Sequence, residues 1–241
     1  MGMPVTVEIA DKSARAESVE KVFTFLGYAD KKFSTYKKNS ETEKINRGEV
    51  DGRKYSLEMR EIFLLSEKTK RQTEGYFDIV RNGKIDPLGM VKGWAIYKAS
   101  KILAGEGYKN FYINAGGDIQ AMGKNKEGKP WRVGIQNPFK SGEIVKVLTI
   151  KNNEGVATSG TYERGNHVYN PKNKKRGVSG ILSLTVVGPN ILDADRFATA
   201  AFAMGEQGIV FVDGLADFEG YMISADGSAV LTRGIGKYFL N

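Results

Sequence analysis

The chain has 241 residues, 41% of them hydrophobic and 27% charged, which excludes a disordered chain and fits one large domain or two small ones. It contains no cysteine, so disulfides, thiolate zinc sites, iron–sulfur clusters and a cysteine nucleophile are ruled out; its single histidine, His167, rules out a two-histidine metal motif. The 36 basic residues outnumber the 28 acidic ones, and the resulting net charge of +8 favours an anionic partner: nucleic acid, acidic lipid or a phosphorylated small molecule.

The opening segment, Met1 to Ile9, alternates like a strand and lacks the basic-then-apolar layout of a signal peptide, which makes the cytoplasm the expected location. Ser13 to Gly27 carries Ala16, Val19, Val22, Phe23 and Leu26 at helical spacing. Tyr55 to Gly75 predicts a second helix, with Leu57, Ile62, Phe63, Leu64 and Leu65 inward, and Lys92 to Leu103 a third. Period-two segments follow at Asn110–Ala115, Ile119–Met122, Trp131–Gln136 and Ile144–Ile150, separated by Gly, Pro, Asn and Lys turns. Ser183–Val187 reads as a strand, Asp193–Gly205 as a helix, and Phe218–Ser224 with Ala229–Arg233 as a terminal hairpin. Neither a long linker nor a short-period repeat divides the chain, and no apolar run approaches the ~18 residues of a membrane-spanning helix. The expected fold class is α+β: antiparallel sheets flanked by helices in one compact domain, residues 1–241.

Several groups of residues carry possible chemistry. Asp195 and Thr199 lie one helical turn apart on one face, and a carboxylate beside a hydroxyl suits a hard cation such as Mg²⁺. The alternative is that Asp193 or Asp195 caps the helix and Thr199 bonds back to the preceding turn. Gly116-Gly117-Asp118 and Thr158-Ser159-Gly160 could present backbone N–H groups to a phosphate or a flavin carbonyl, or be tight turns. Neither has the strand–turn–helix context of a Rossmann or Walker loop. In Asp86-Pro87-Leu88-Gly89-Met90-Val91-Lys92-Gly93 a carboxylate and a lysine flank a glycine turn that opens a helix, an arrangement able to bind an anion. His167 sits among polar turn residues and reads equally as structural or functional. Lys172 to Arg176 is basic but has no interleaved aromatics, so it reads as a solvated loop and nucleic acid is not the expected partner.

In their order along the chain these segments resemble the ApbE-type FAD:protein FMN transferases. The resemblance rests on Met1-Gly2, Phe33-Ser34-Thr35-Tyr36 with Ser40-Glu41 and Asn46, Phe77-Asp78, and Asp86 to Gly93. It continues through Asn114 to Asp118, Thr158-Ser159-Gly160, His167 to Pro171 and Ala194-Asp195 to Thr199, and so spans residue 1 to about residue 204. It implies a T-fold-like domain with FAD in a cleft, and a flavin transferase that splits the FAD diphosphate. FMN would be attached by a phosphoester to a threonine or serine of an acceptor flavoprotein, such as a redox or electron-transport subunit, with release of AMP. The resemblance assigns Mg²⁺ to Gly89 (through its carbonyl), Asp195 and Thr199, and acceptor activation to His167. It places the FAD contacts on Met1, Tyr36, Tyr76, Phe77, Asp78, Asp86, Lys92, Gly116, Gly117, Asp118, Thr158, Ser159, Gly160 and Val168.

The chain departs from the family pattern at Met3, where threonine is usual, at Tyr97, and at Asn170, where aspartate usually precedes the proline. Only seven residues separate Asp78 from Asp86, where many members carry a long insertion. Many members are exported lipoproteins, so a membrane-anchored location is the alternative to the cytoplasm. An FAD pyrophosphatase with water as nucleophile, and a non-catalytic FAD-binding protein, are the competing functional readings.

Overall fold

In the computed structural model, which describes residues 2–161, 169–173, 178–240 and the backbone of 175–176, the first half is mainly helical. It runs β1 (Val5–Ile9), α1 (Ala16–Phe33), α2 (Glu41–Asn46), α3 (Leu57–Gln72), β2 (Val80–Arg81), β3 (Lys84–Ile85) and α4 (Leu88–Gly105). Then come β4 (Phe111–Ala115), β5 (Asp118–Met122), β6 (Trp131–Gln136), β7 (Ile144–Ile150), β8 (Glu154–Gly160), β9 (Tyr169–Asn170), β10 (Lys175–Arg176) and β11 (Ile181–Gly188). Helices α5 (Ile191–Ala203) and α6 (Gln207–Asp213) and strands β12 (Glu219–Ser224) and β13 (Ala229–Leu231) complete the chain.

Seven strands form one antiparallel sheet in the order β1-β4-β5-β8-β11-β12-β13. Side chains alternate across it, so Ile113, Ala157, Leu184 and Val186 face the helices, while Ile119, Ala121, Val156 and Ile223 meet the β6–β7 hairpin. The result is three layers: helices, sheet, hairpin. Strand β6 shows the one-sided pattern most plainly, with Trp131, Val133 and Ile135 buried and the residues between them exposed. This is the α+β, antiparallel architecture expected from the sequence.

Helix α4 lies in the middle of the helical layer and is apolar nearly all round, burying Met90, Val91, Trp94, Ala95, Ile96, Ala99 and Leu103. It starts a turn before the predicted Lys92, because Pro87 at its N-cap already holds φ at −82°. Helix α1 runs through Gly27 to Phe33, whose ring meets Trp94 edge-on at 5.3 Å. Burial of Ala29 and Phe33 outweighs the ~1 kcal/mol a helical glycine costs.

Two expectations need correction. In α3 the inward face is Met59, Ile62, Ser66 and Thr69, while Leu57 and Leu64 are 80% and 73% exposed. The four consecutive apolar residues Ile62 to Leu65 cannot share one helical face at 100° per residue, and Ile62 takes Ser66 and Thr69 inward with it. Thr158-Ser159-Gly160 is not a turn or phosphate loop but the end of β8, paired with Ser183–Thr185 of β11. Glu154–Gly160 has little β propensity of its own; pairing with β5 and β11 on its two sides makes the strand. Helices α2 and α6 and the small β2–β3 and β9–β10 ladders carry too few residues to show periodicity.

Candidate functional site

Helix α5 is capped by Asn190, whose side chain accepts a hydrogen bond from the Asp193 N–H at 2.9 Å. The capping alternative for Asp193 and Asp195 is therefore excluded, and Asp193 instead accepts from Arg196 Nε at 2.7 Å. Asp195 is only 4% exposed and points at α4, where its Oδ2 accepts the Gly93 N–H at 2.8 Å. A Cβ at residue 93 would stand 2.7 Å from the Asp195 Cβ, so only glycine lets the two helices approach this closely. In a regular helix the Gly93 N–H would donate to the carbonyl of Gly89, four residues back. Here that N–H donates to Asp195 Oδ2.

A second buried carboxylate stands beside the first. The Gly116-Gly117 turn, with both φ angles positive (57° and 89°), reverses β4 into β5 and delivers Asp118 as the first residue of the inner strand, 1% exposed. Lys92, in the second turn of α4, places Nζ 2.6 Å from Asp118 Oδ2, off the hydrogen-bonding direction, so the contact is an ion pair without an aligned hydrogen bond. Burial and then the charge of Asp118 push the Asp195 carboxyl up to about 8, against the pull of Lys92 and the Gly93 N–H. One ammonium thus stands against two buried carboxyl groups, and without a bound cation Asp195 holds its proton at neutral pH.

This arrangement forms one end of a cavity of about 770 Å³, within the usual range for a small-molecule site. Gly89, Asp195 and Thr199, the three residues to which the family resemblance assigns a cation, all line it. Gly89 and Thr199 are neighbours, since a Cβ on the glycine would lie 3.5 Å from the threonine Cγ2. Tyr36, Tyr76, Phe77, Asp78, Asp86 and Lys92 line the same cavity. So do Gly116, Thr158, Ser159 and Gly160, the last three from a strand rather than a loop. Gly117 and Asp118 do not reach it: Gly117 donates its N–H to Asn114 Oδ1 at 2.9 Å, and Asp118 acts on the site through Lys92 and Asp195. Asp78 is held by Lys70 at 2.6 Å and by the Val80 N–H at 2.8 Å. Met1, His167 and Val168 lie outside the described residues.

The cavity residues not anticipated as site residues include Asp30, Lys37, Arg81 and Tyr169. Asp30 pairs with Lys37 at 2.5 Å. Arg81 has a local signal in the sequence, the Asn82-Gly83 pair between Val80-Arg81 and Lys84-Ile85, which favours a two-residue hairpin turn. Among the described residues there is no cluster of three or more His, Asp or Glu side chains in a metal-holding arrangement. Even so, the donor set fits a hard divalent cation: a buried carboxyl group whose ionisation burial and Asp118 oppose, a hydroxyl, and the Gly89 carbonyl in the first turn of α4.

Comparison with known proteins bears on this geometry. The ApbE family pattern matches residues 1–82 and 80–222. The FAD:protein FMN transferase of Klebsiella pneumoniae (strain 342) is 32% identical over 152 residues, covering 58% of this chain and 43% of that protein. The enzyme of the same name from Haemophilus influenzae is 30% identical over 158 residues, covering 62% and 46%. The match therefore spans less than half the length of these curated relatives. Among solved structures, the flavin transferase ApbE from Vibrio cholerae superposes with a TM-score of 0.85 at 18% identity, over 99% of this chain and 96% of that one. The ApbE protein from Thermotoga maritima gives 0.88 at 20% identity, over 100% and 97%. At these identities the structures establish a shared fold, and no described helix is long and apolar enough to cross a membrane. Because the family pattern runs through nearly every element described above, from β1 to β12, the chain belongs to the ApbE family.

Proposed function

We propose that the protein is an FAD:protein FMN transferase, cleaving the FAD diphosphate and joining FMN through a phosphoester to a threonine or serine of an acceptor flavoprotein, with release of AMP. The observation that carries this reading is the charged cluster at the cavity wall, in which Lys92, Asp118 and Asp195 meet beside Gly89 and Thr199. The names of the curated relatives, FAD:protein FMN transferase, support it.

Asp195, the Thr199 hydroxyl and the Gly89 carbonyl would hold Mg²⁺. When bound, the ion neutralises diphosphate charge and polarises the phosphoryl oxygens. Lys92, oriented by Asp118, supplies a second positive charge from the cavity wall. The acceptor hydroxyl oxygen attacks the FMN phosphorus, the bridging P–O bond breaks, and the electron pair leaves on AMP. His167 takes the hydroxyl proton, which needs a neutral imidazole within hydrogen-bond reach. Asp118 reaches the reaction only through Lys92 and Asp195, so it is a positioning residue.

The test is incubation with FAD, Mg²⁺ and an acceptor protein bearing a target threonine, read by intact mass and AMP release. The expected result is acceptor mass increased by one FMN, with AMP formed and both products lost in EDTA. AMP without acceptor labelling would replace transfer by hydrolysis. Neither product, from folded protein with a competent acceptor, would overturn the reading.

A further inference from the structure

Among the described residues three cations line the cavity, and two of them are matched by carboxylates: Lys37 by Asp30 and Lys92 by Asp118. Arg81 is different. Among the described residues it has no carboxylate partner, and its guanidinium instead lies 4.3 Å from the centroid of the Tyr169 ring. Both residues line the cavity. Arg81 is held in place by its backbone: β2 pairs with β3 in the register Val80↔Ile85 and Arg81↔Lys84, across a turn in which Asn82 and Gly83 both take positive φ. Asn46 fastens this hairpin to α2, donating to the Ile85 carbonyl at 3.0 Å and accepting the Ile85 N–H at 2.8 Å.

An aromatic face orients a guanidinium without neutralising it, so all five N–H donors and the full charge stay available to a ligand. The planar fork matches a phosphate better than an ammonium does. A guanidinium that only covered a tyrosine would be an exposed surface contact; this one forms part of the wall of a large cavity that already holds a second cation. We propose that Arg81 is a phosphate-binding residue of the cleft, taking a non-bridging oxygen of the dinucleotide diphosphate while Tyr169 holds its plane. The proposal rests on the flavin reading above and adds to it a residue on the short β2–β3 hairpin, the segment between Asp78 and Asp86. The hairpin thereby contributes to substrate recognition with a single side chain.

The experiment compares wild type, Arg81→Gln and Arg81→Lys in equilibrium binding of FAD, of riboflavin, which lacks phosphate, and of inorganic pyrophosphate, with thermal melting to verify folding. Loss of a charge-assisted contact predicts about tenfold or more weaker FAD binding in Arg81→Gln. Riboflavin affinity should stay unchanged, and Arg81→Lys should recover part of the loss. Equal FAD affinity in wild type and Arg81→Gln overturns the proposal. Parallel loss of FAD and riboflavin does so too, because Arg81 would then act by shaping the cleft. If wild type binds neither flavin, the transferase reading fails, and the pyrophosphate arm decides for Arg81 by itself. Pyrophosphate binding that weakens in Arg81→Gln keeps an anion site; binding that is absent or unchanged removes it.

Discussion

On one side of the cavity Asp195 and Asp118 are 4% and 1% exposed, and their contacts join α4, β5 and α5. At its mouth Tyr36 is 87% exposed, and Arg81 rides on a hairpin of two-residue strands. Charge in the first region is screened by little water, so each carboxylate feels the other and Lys92 strongly. Charge in the second is screened by solvent and costs little to place. The buried wall therefore stores electrostatic conflict that a bound cation can relieve. The mouth offers surfaces that can change without unfolding the protein, in keeping with its location on a loop and a short hairpin.

Four predictions probe this contrast, in decreasing order of effect. Asp195→Asn keeps an oxygen for the Gly93 N–H but removes the charge. It should abolish Mg²⁺-dependent turnover while leaving the circular dichroism spectrum unchanged; activity retained in that variant would remove Asp195 from the metal site. Gly93→Ala places a Cβ 2.7 Å from that of Asp195 and 2.9 Å from the Ile191 carbonyl. It should destabilise the fold by about 1–3 kcal/mol, the usual cost of overpacking, measured by denaturant titration. An unchanged midpoint would mean that α4 and α5 separate easily.

The third concerns pH in metal-free protein. Asp195 is raised from an ordinary value of 3.8 to about 8 by burial and by Asp118. Below that ordinary value the folded and unfolded chains are both protonated at this group. Between it and the raised value the folded chain holds a proton that the unfolded chain has released, so stability falls as pH rises through this window. Unfolding in EDTA across the window should show that decline in wild type and a flatter profile in Asp195→Asn. Identical profiles would mean that the buried pair carries no strain. The smallest effect belongs to the mouth. Tyr36→Ala should change stability by no more than about 0.5 kcal/mol, while FAD affinity drops. A large loss of stability would make Tyr36 part of the core after all.

Much of the site was legible because its residue types are chemically specific. Asp195 and Thr199 could be paired from their spacing, and Gly89 and Lys92 from a glycine turn that opens a helix. Strand β6 was legible from strict alternation, with one face on the core and one in water, and β7 from its run of apolar and β-branched residues. What escaped detection had weak local signals: β8, whose Glu-Gly-Val-Ala-Thr-Ser-Gly run has little strand character, and the inward face of α3, where Leu64 was a plausible but wrong choice. Asp118 was read as a ligand contact beside a turn, whereas it is buried behind the cavity wall and acts on Lys92 and Asp195.

The amino-acid sequence by itself determined the α+β class, the antiparallel strands of the second half, and the order of motifs that places the chain in its family. Hydrophobic period and turn chemistry are local properties, readable over a few residues. Only the tertiary structure decided that Asp118 and Asp195 are neighbours, that Lys92 pairs with Asp118, and that Arg81 stacks on Tyr169 in the cavity wall. Burial and electrostatic field are sums over groups brought together from distant segments, and no window of sequence contains all the terms.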